Sequence, residues 1–357
     1  MLLKLLKISI KIIHEMKKII LLSKSFKVKK NKIISCIQSD NKFDGYEETY
    51  IFQIAKHFQR NNLSTLTLYI NEFTKDNRDI FKNYLFDRIK KFKADIIFCE
   101  DPILISPDIL ILIKKNFKKI KIICHYCAAV KKKKILFELF DQVISCSPAF
   151  LRKDCNSEII YHASPDYGFK IPSDKLQSKI KKCCFMGSMY SRIHYQRIKL
   201  LNYLRFRGID LDIYSGDNNL SNFDKVLKKF INIKYPYLRN LYNPLYGNGM
   251  LEKLSKYVCA VNIHAGFANK FAANMRLFEA ACVGTCLITE EFSNLKDIFE
   301  PDHEIITYSS KEECFEKINY CLSNPEIAFN IGQRAKRRAI NNHTYSQRVN
   351  EIMKVLN

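Results

Sequence analysis

Short apolar runs rich in Ile, Leu and Val alternate along the chain with longer segments whose apolar residues recur at helical spacing. The short runs predict buried strands and the longer segments predict helices. In the first half, strands are predicted at 18–23, 64–70, 94–99, 119–124 and 142–146. Helices are predicted between them at 46–59, 76–93 and 108–117. This order predicts βαβ units, with parallel strands covered by helices on both faces.

The same alternation begins again after a segment in which Pro, Gly, Ser and Asp cluster. A chain of 357 residues is also longer than one ordinary core supports. We therefore predict Rossmann-like α/β domains over 16–165 and 182–343, a linker over 166–181 and a C-terminal helix over 344–357. Both sheets are predicted to be doubly wound and parallel, with their carboxyl ends facing a central cleft, where such sheets bind ligands.

Residues 1–15 leave two interpretations open. Three lysines and His14 share one face of a helix whose other positions are mostly apolar, a pattern typical of helices that lie in a membrane interface. The alternative is that translation starts at Met16, directly before the first predicted strand. No small-residue cleavage site follows, so a secretory signal peptide is not expected.

The formal net charge is +23, and most of this excess lies in residues 1–150, which carry 29 basic and 15 acidic side chains. Such a surface attracts nucleic acid, anionic membranes or phosphorylated substrates. The sequence has no zinc-finger spacing, RNP motif or basic zipper helix, so we predict no nucleic-acid partner. The densest charge block, at 131–134, is either a solvated face or a site for an anionic acceptor or membrane surface.

Thirteen cysteines are spread over the predicted strands and helices. Cys124 and Cys127 have C-x-x-C spacing, but no second pair follows at the distance of a zinc site. No run of about 18 apolar residues predicts a membrane span. These observations predict reduced thiols, no metal site and a cytoplasmic protein.

The most informative segment runs from 242 to 308. Asn274 and Arg276 stand at the start of a predicted helix, and Glu279 follows within one turn. Backbone N–H groups at a helix start, together with an arginine, favour a phosphate. A carboxylate one turn into the helix is placed to accept hydrogen bonds from ribose hydroxyls, as acidic residues do in dinucleotide-binding folds. The segment therefore predicts a nucleotide site.

The run NMRLFEA at 274–280, with GT at 284–285 and IT at 288–289, resembles the signature of group 1 glycosyltransferases. The spore-maturation-type branch of that family is the most similar one, and FEP at 299–301 and HTY at 343–345 fit it as well. The resemblance is strong over about 182–350 and extends over 18–165 only as a pattern. It implies a GT-B fold, a nucleotide-sugar donor as substrate, and no obligatory metal or other cofactor.

The resemblance also implies roles for individual residues. Glu279 would bind the donor ribose, and Asn274 and Arg276 would lie at the diphosphate or the sugar. The remaining predicted donor-binding residues are Gly187, Ser188, Tyr246 and Gly247. Many family members carry a second Glu at the position of Phe271, so this departure leaves the sugar and the stereochemical outcome open.

His125 and His264 are the predicted catalytic residues, because each ends a predicted strand and the family often places a His at the end of the strand near His125. For His264 the alternative is a structural histidine with satisfied hydrogen bonds. Asp44, Gly45 and Asp101 are predicted to border the acceptor.

These features predict a metal-independent glycosyltransferase that moves a sugar from a nucleotide-sugar donor to a glycan, lipid-linked or protein acceptor. The predicted location is the cytoplasm, with contact to the inner face of the membrane through an anionic surface. A nucleotide-sugar epimerase and a non-catalytic protein that binds a nucleotide sugar or glycan remain as alternatives, because fold alone does not determine chemistry.

Overall fold

A computed structural model describes residues 18–23, 50–69, 78–127, 135–173, 175–189, 194–215, 241–264, 271–272 and 274–356. These residues form two compact units. The first unit contains the described residues up to Tyr161 together with those from Val349 onward, and the second contains His162 to Arg348. The structure thus divides the chain before the predicted linker at 166–181, whose described residues belong to the second unit.

A sheet of six parallel strands forms the centre of the first unit. Its strands are β1 (Lys18–Ser23), β2 (Ser64–Tyr69), β3 (Ile96–Cys99), β4 (Lys121–Tyr126), β5 (Gln142–Ser145) and β6 (Ser157–Ile159). Their order is β2-β1-β3-β4-β5-β6. The helices are α1 (Tyr50–Arg60), α2 (Arg78–Phe92) and α3 (Pro107–Asn116). All four residues of β3 and of β5 are buried, as expected for strands covered on both faces.

The apolar spacing of α1 determines which of its faces is buried. Ile51, Ile54, Ala55 and Phe58 are all at most 9% exposed. They recur at the i, i+3, i+4, i+7 spacing of one helix face.

The second unit has its own sheet of six parallel strands. They are β7 (Ile180–Met186), β8 (Leu211–Tyr214), β9 (Leu241–Tyr242), β10 (Tyr257–Asn262), β11 (Cys286–Glu290) and β12 (Ile306–Tyr308). Their order is β12-β11-β10-β7-β8-β9. The helices are α4 (Asp166–Lys170), α5 (Tyr195–Phe206), α6 (Gly247–Ser255), α7 (Arg276–Cys282), α8 (Lys311–Ser323) and α9 (Pro325–Asn342), and α10 (Tyr345–Leu356) continues into the first unit.

The predicted alternation of strands and helices is confirmed in both units, and each strand predicted in the first half has a counterpart in the first sheet. The sequence did not predict β6, which has only three residues and lies at a sheet edge, as do the short strands β9 and β12. A run of two or three residues is too short to show a period. Among the described residues, no helix is long and apolar enough to cross a membrane.

A close contact between two glycines lets α9 pack against the start of β11. Gly284 follows α7 with a φ of +69°, which glycine adopts without strain. A Cβ atom added to Gly332 of α9 would lie 2.4 Å from the carbonyl oxygen of Gly284. This backbone atom cannot rotate away, so only glycine fits at Gly332.

We expect Gly332→Ala to lower the free energy of unfolding by about 1–3 kcal/mol, the usual cost of an inserted methyl group in a close-packed interior. Gly249→Ala in α6 is the matched control, because nothing lies within 4 Å of a Cβ atom built there. The control should be neutral or slightly stabilising, since alanine favours a helix over glycine. Chemical denaturation followed by far-UV circular dichroism measures both, and equal unfolding midpoints for the two variants would contradict this account.

Candidate functional site

The predicted donor-site residues of the second unit gather at one edge of its sheet. Strands β11, β10 and β7 are neighbours and run parallel, so their carboxyl ends lie at the same edge. Gly187 and Ser188 follow β7, His264 follows β10, and Glu290 ends β11. This edge, with the start of α7 beside it, is called the donor edge below.

Arg276, the first residue of α7, connects three elements at the donor edge. Its Nη2 donates to the carbonyl oxygen of Met186 at 2.9 Å, which fixes α7 to the end of β7. Its Nη1 lies 2.8 Å from Oε2 of Glu279 and 3.1 Å from the sulfur of Met250 in α6. The side chains of Arg276 and Glu279 are only 14% and 15% exposed, so this ion pair is poorly screened by water. The guanidinium group therefore orients the carboxylate of Glu279.

Asn274 ties the segment before α7 to β10. Its Nδ2 donates to Oδ1 of Asn262 at 2.7 Å. The Oδ1 atom of Asn274 is buried and has no hydrogen-bond partner in the described structure. The helix begins at Arg276, two residues later than predicted, and no side chain caps it.

His264 lies in a buried polar network. Asn262 accepts from Asn274 through Oδ1, so its Nδ2 is the donor that lies 3.1 Å from Nε2 of His264. Nε2 therefore accepts, and the ring proton is assigned to Nδ1. Thr289 also lies within 3.3 Å of Nε2, whereas Nδ1 is buried without a partner among the described residues.

The ionisation of His264 follows from this environment. Burial, reinforced by the positive charge of Arg197, lowers the pKa of His264 to about 3. The imidazole is therefore neutral at physiological pH and offers an N–H donor rather than a positive charge. The backbone N–H of His264 donates to Oε2 of Glu290 at 2.6 Å. The ring of His264 packs edge-on against that of Phe292, with ring centroids 4.7 Å apart.

Arg197 in α5 belongs to the donor edge but was not predicted. Its Nη1 donates to the carbonyl oxygen of Ser188 and its Nη2 to that of Ile263, both at 2.6 Å. It thereby joins the segments that leave β7 and β10. Burial lowers its pKa to about 10, an effect that Glu290 opposes and Arg276 reinforces, so Arg197 stays charged at neutral pH. An arginine in the first turn of the helix after a Gly-Ser loop was the available sequence signal.

The donor edge thus carries two partly buried guanidinium groups that are close enough to influence each other. Positive charge held in a partly desolvated place attracts phosphates strongly. Carboxylates of Glu279 and Glu290 lie among them. The arrangement can bind a ligand that has both phosphate oxygens and hydroxyl groups.

Tyr246 and Gly247 lie at the start of α6. Gly247 has a φ of +53°, and the side chain of Tyr246 is 63% exposed. Nearby, Tyr242 stacks on Tyr214 with ring centroids 4.9 Å apart. The contact of Arg276 with Met250 joins α6 to the donor edge, so exposed aromatic rings stand at the start of an element that is tied to this edge.

In the first unit, Asp101 follows β3 and His125 is the last but one residue of the neighbouring parallel strand β4, so both lie at the carboxyl edge of that sheet. His125 is buried, stacks on Tyr50 with centroids 4.2 Å apart, and has its Nε2 2.8 Å from the sulfur of Cys127. Asp101 accepts from the backbone N–H of Ile103 at 3.0 Å. The predicted acceptor residues Asp44 and Gly45, like the extension at 1–15 and the lysine block at 131–134, lie outside the described residues.

Comparisons with known proteins agree with this architecture. Residues 201–354 match a family model described as glycosyl transferase-like. No curated protein matches the sequence. The match does not distinguish the spore-maturation-type branch, which stays a prediction.

Solved structures of glycosyltransferases share the fold at low sequence identity. Sucrose-phosphate synthase from Thermosynechococcus elongatus matches with a TM-score of 0.66 and 11% identity, over 95% of this chain and 98% of that one. A glycosyltransferase from Rickettsia africae matches with a TM-score of 0.64 and 11% identity, over 96% and 98%. HepE from Anabaena, solved in complex with UDP and glucose, matches with a TM-score of 0.63 and 12% identity, over 95% and 99%. The protein therefore has the GT-B fold, and residues 201–354 match the glycosyl transferase-like family model.

Proposed function

We propose that the protein is a glycosyltransferase that binds a nucleotide-sugar donor at the donor edge of its second unit. The observation that carries this proposal is the partly buried Arg276–Glu279 pair, which lies inside the segment that matches the glycosyl transferase-like family model and beside the carboxyl end of β7. The structure of HepE with UDP-glucose supports a nucleotide sugar as the donor class.

Each residue of the donor edge has a role in this proposal. Glu279 accepts hydrogen bonds from the ribose hydroxyls, and Arg276 holds its carboxylate in place. Arg197 and Arg276 neutralise the diphosphate together with the backbone at Gly187 and Ser188. Asn274 and His264 direct their unused polar atoms toward the sugar. In this role His264 donates a hydrogen bond as a neutral ring rather than transferring a proton.

The acceptor is proposed to be a glycan, a lipid-linked sugar or a protein, and it is proposed to bind to the first unit. Asp101 is the described candidate on that side, and Asp44 and Gly45 complete the set. His125 remains a proposed catalytic residue of the first unit, where its buried ring stacks on Tyr50.

One observation favours a second candidate function. Phe271 occupies the position at which many family members have a Glu that contacts the transferred sugar, and a phenyl ring cannot replace a carboxylate there. A nucleotide-sugar epimerase, or a protein that binds the nucleotide sugar without transfer, is the alternative. Incubation with UDP-, GDP-, ADP- and CMP-sugars, followed by product analysis, separates transfer, epimerisation and binding alone.

We expect Glu279→Gln to weaken donor binding about ten- to hundredfold, since a hydrogen bond to a charged group contributes about 1.5–3 kcal/mol. Isothermal titration with the nucleotide sugar that the panel identifies measures this change. Glu316→Gln on the exposed face of α8 is the matched control and should leave the affinity unchanged. Equal donor affinity in both variants would refute the ribose assignment.

We also expect transfer to proceed without a divalent metal, because Arg197 and Arg276 supply positive charge where the diphosphate is proposed to lie. Activity should be the same after treatment with EDTA as in the presence of Mn²⁺ or Mg²⁺. Loss of transfer with EDTA, and its recovery with Mn²⁺, would show that a metal is required.

We further propose that this cytoplasmic enzyme visits the inner face of the membrane through basic residues of its N-terminal half. Each Lys or Arg near an anionic surface contributes about 1 kcal/mol, so several give reversible binding. The full chain should co-sediment with phosphatidylglycerol vesicles at low salt and be released at high salt. Equal behaviour with neutral vesicles, for the full chain and for a chain that starts at Met16, would contradict this location.

A further inference from the structure

A second groove lies in the second unit, beside the donor edge. It has a volume of about 1180 Å³ and is lined by α5, by the residues that follow β11, and by the start of α8. Typical small-molecule pockets have about 300–1,000 Å³, so this groove has room for more than a single small ion. Of the residues assigned above to donor binding, none lines it.

Two side chains that line the groove can form hydrogen bonds with a ligand, and one of them is held in place. Glu290 lines it, and Oε2 of this residue is held by the backbone N–H of His264 at 2.6 Å. A carboxylate has about four acceptor positions, so one fixed contact leaves capacity for hydroxyl groups of a ligand. Gln196 in the first turn of α5 also lines the groove and adds an amide that both donates and accepts.

The walls of the groove are apolar and aromatic. Leu200, Tyr203 and Phe292 all line it. Phe292 is held against the ring of His264, and Tyr203 accepts a hydrogen bond from Arg207 at 3.0 Å. A sugar ring has C–H groups on its faces and hydroxyls at its edge. Aromatic walls above a polar floor match that division.

The rim of the groove is basic. Lys199, Lys296 and Lys311 line it and are exposed, whereas only Glu290 and Glu291 oppose them among its lining residues. The ammonium group of Lys311 lies over the ring of Tyr203 at 4.8 Å, so one positive charge is positioned above an aromatic wall. The excess positive charge favours a ligand with a phosphate or a carboxylate.

We propose that this groove binds an anionic saccharide, that is, a sugar bearing a phosphate or carboxylate group, at a site that adjoins the donor edge and shares Glu290 with it. The carboxylate of Glu290 and the amide of Gln196 bind its hydroxyls, and the three lysines attract its anionic group. The proposal concerns binding alone, so it stands or falls independently of sugar transfer.

The test is titration calorimetry at low salt, without nucleotide sugar, using glucose 6-phosphate, glucuronate, glucose and inorganic phosphate as probes. We expect at least one of the two anionic sugars to bind about tenfold more tightly than glucose and than inorganic phosphate, since both the ring and the charge contribute. Equal affinity for inorganic phosphate would show a simple anion patch. Equal affinity for glucose, or no binding of either anionic sugar, would equally overturn the proposal.

Variants locate the site. The double change Lys296→Gln and Lys311→Gln should weaken anionic-sugar binding about three- to tenfold, as expected for two exposed charge contacts. Lys170→Gln with Lys256→Gln removes the same charge from exposed positions outside the groove and should have no such effect. Gln196→Ala should weaken sugar binding but not phosphate binding.

Glu279→Gln distinguishes the groove from the donor edge. Independent sites change each other's binding by at most about twofold, so this variant should retain anionic-sugar affinity while losing donor affinity. If Glu279→Gln abolishes anionic-sugar binding, or if the two lysine pairs behave alike, the assignment to this groove is wrong.

Discussion

The donor edge depends on the hydrogen bonds and the ion pair that the guanidinium group of Arg276 makes. Backbone, sulfur and carboxylate atoms from three different elements converge on it. A largely buried guanidinium is costly unless its donors are used. The carbonyl oxygen of Met186 and the carboxylate of Glu279 use them, so the end of β7 and the first turn of α7 are held together. The position of Glu279 is a consequence of this arrangement.

Arg197 serves the neighbouring connection. It donates to carbonyl oxygens that follow β7 and β10, and these are the points at which the chain leaves the sheet. Arg276 reinforces the lowering of the pKa of Arg197, and Glu290 opposes it. A diphosphate proposed to bind here would interact with both guanidinium groups, each of which has a carboxylate nearby.

The sequence predicted the alternating fold because strand and helix periods are local properties of the chain. It also predicted that Gly187, His264, Asn274 and Arg276 belong to one region, because carboxyl ends of parallel strands share an edge. Some of the contacts were not predictable from the same signals. The i,i+3 spacing of Arg276 and Glu279 allows their ion pair within one helix, but the contact of Arg276 with Met186 depends on packing between distant elements. For Arg197 the available signal was its place in the first turn of α5.

The start of α7 shows where a prediction from the local sequence pattern was inaccurate. The sequence predicted a helix from 274, with its N–H groups facing a phosphate, but α7 begins at Arg276 and has seven residues. The side chain of Asn274 instead donates a hydrogen bond to Asn262 in β10. A helix of two turns has a weak dipole, so a phosphate proposed to bind at this edge would depend on the two guanidinium groups more than on helix N–H groups.

Several polar atoms at the donor edge have no hydrogen-bond partner among the described residues, and leaving them unpaired costs free energy. Oδ1 of Asn274, Nδ1 of His264 and Nε of Arg276 are all buried without partners in the described part of the chain. Each such atom costs about 1–3 kcal/mol, and folded proteins rarely keep several together without a reason. A ligand with hydroxyl and phosphate oxygens could satisfy the two N–H donors, and a sugar hydroxyl could donate to Asn274. The proposed nucleotide sugar would therefore supply hydrogen-bond partners for atoms that are unpaired among the described residues.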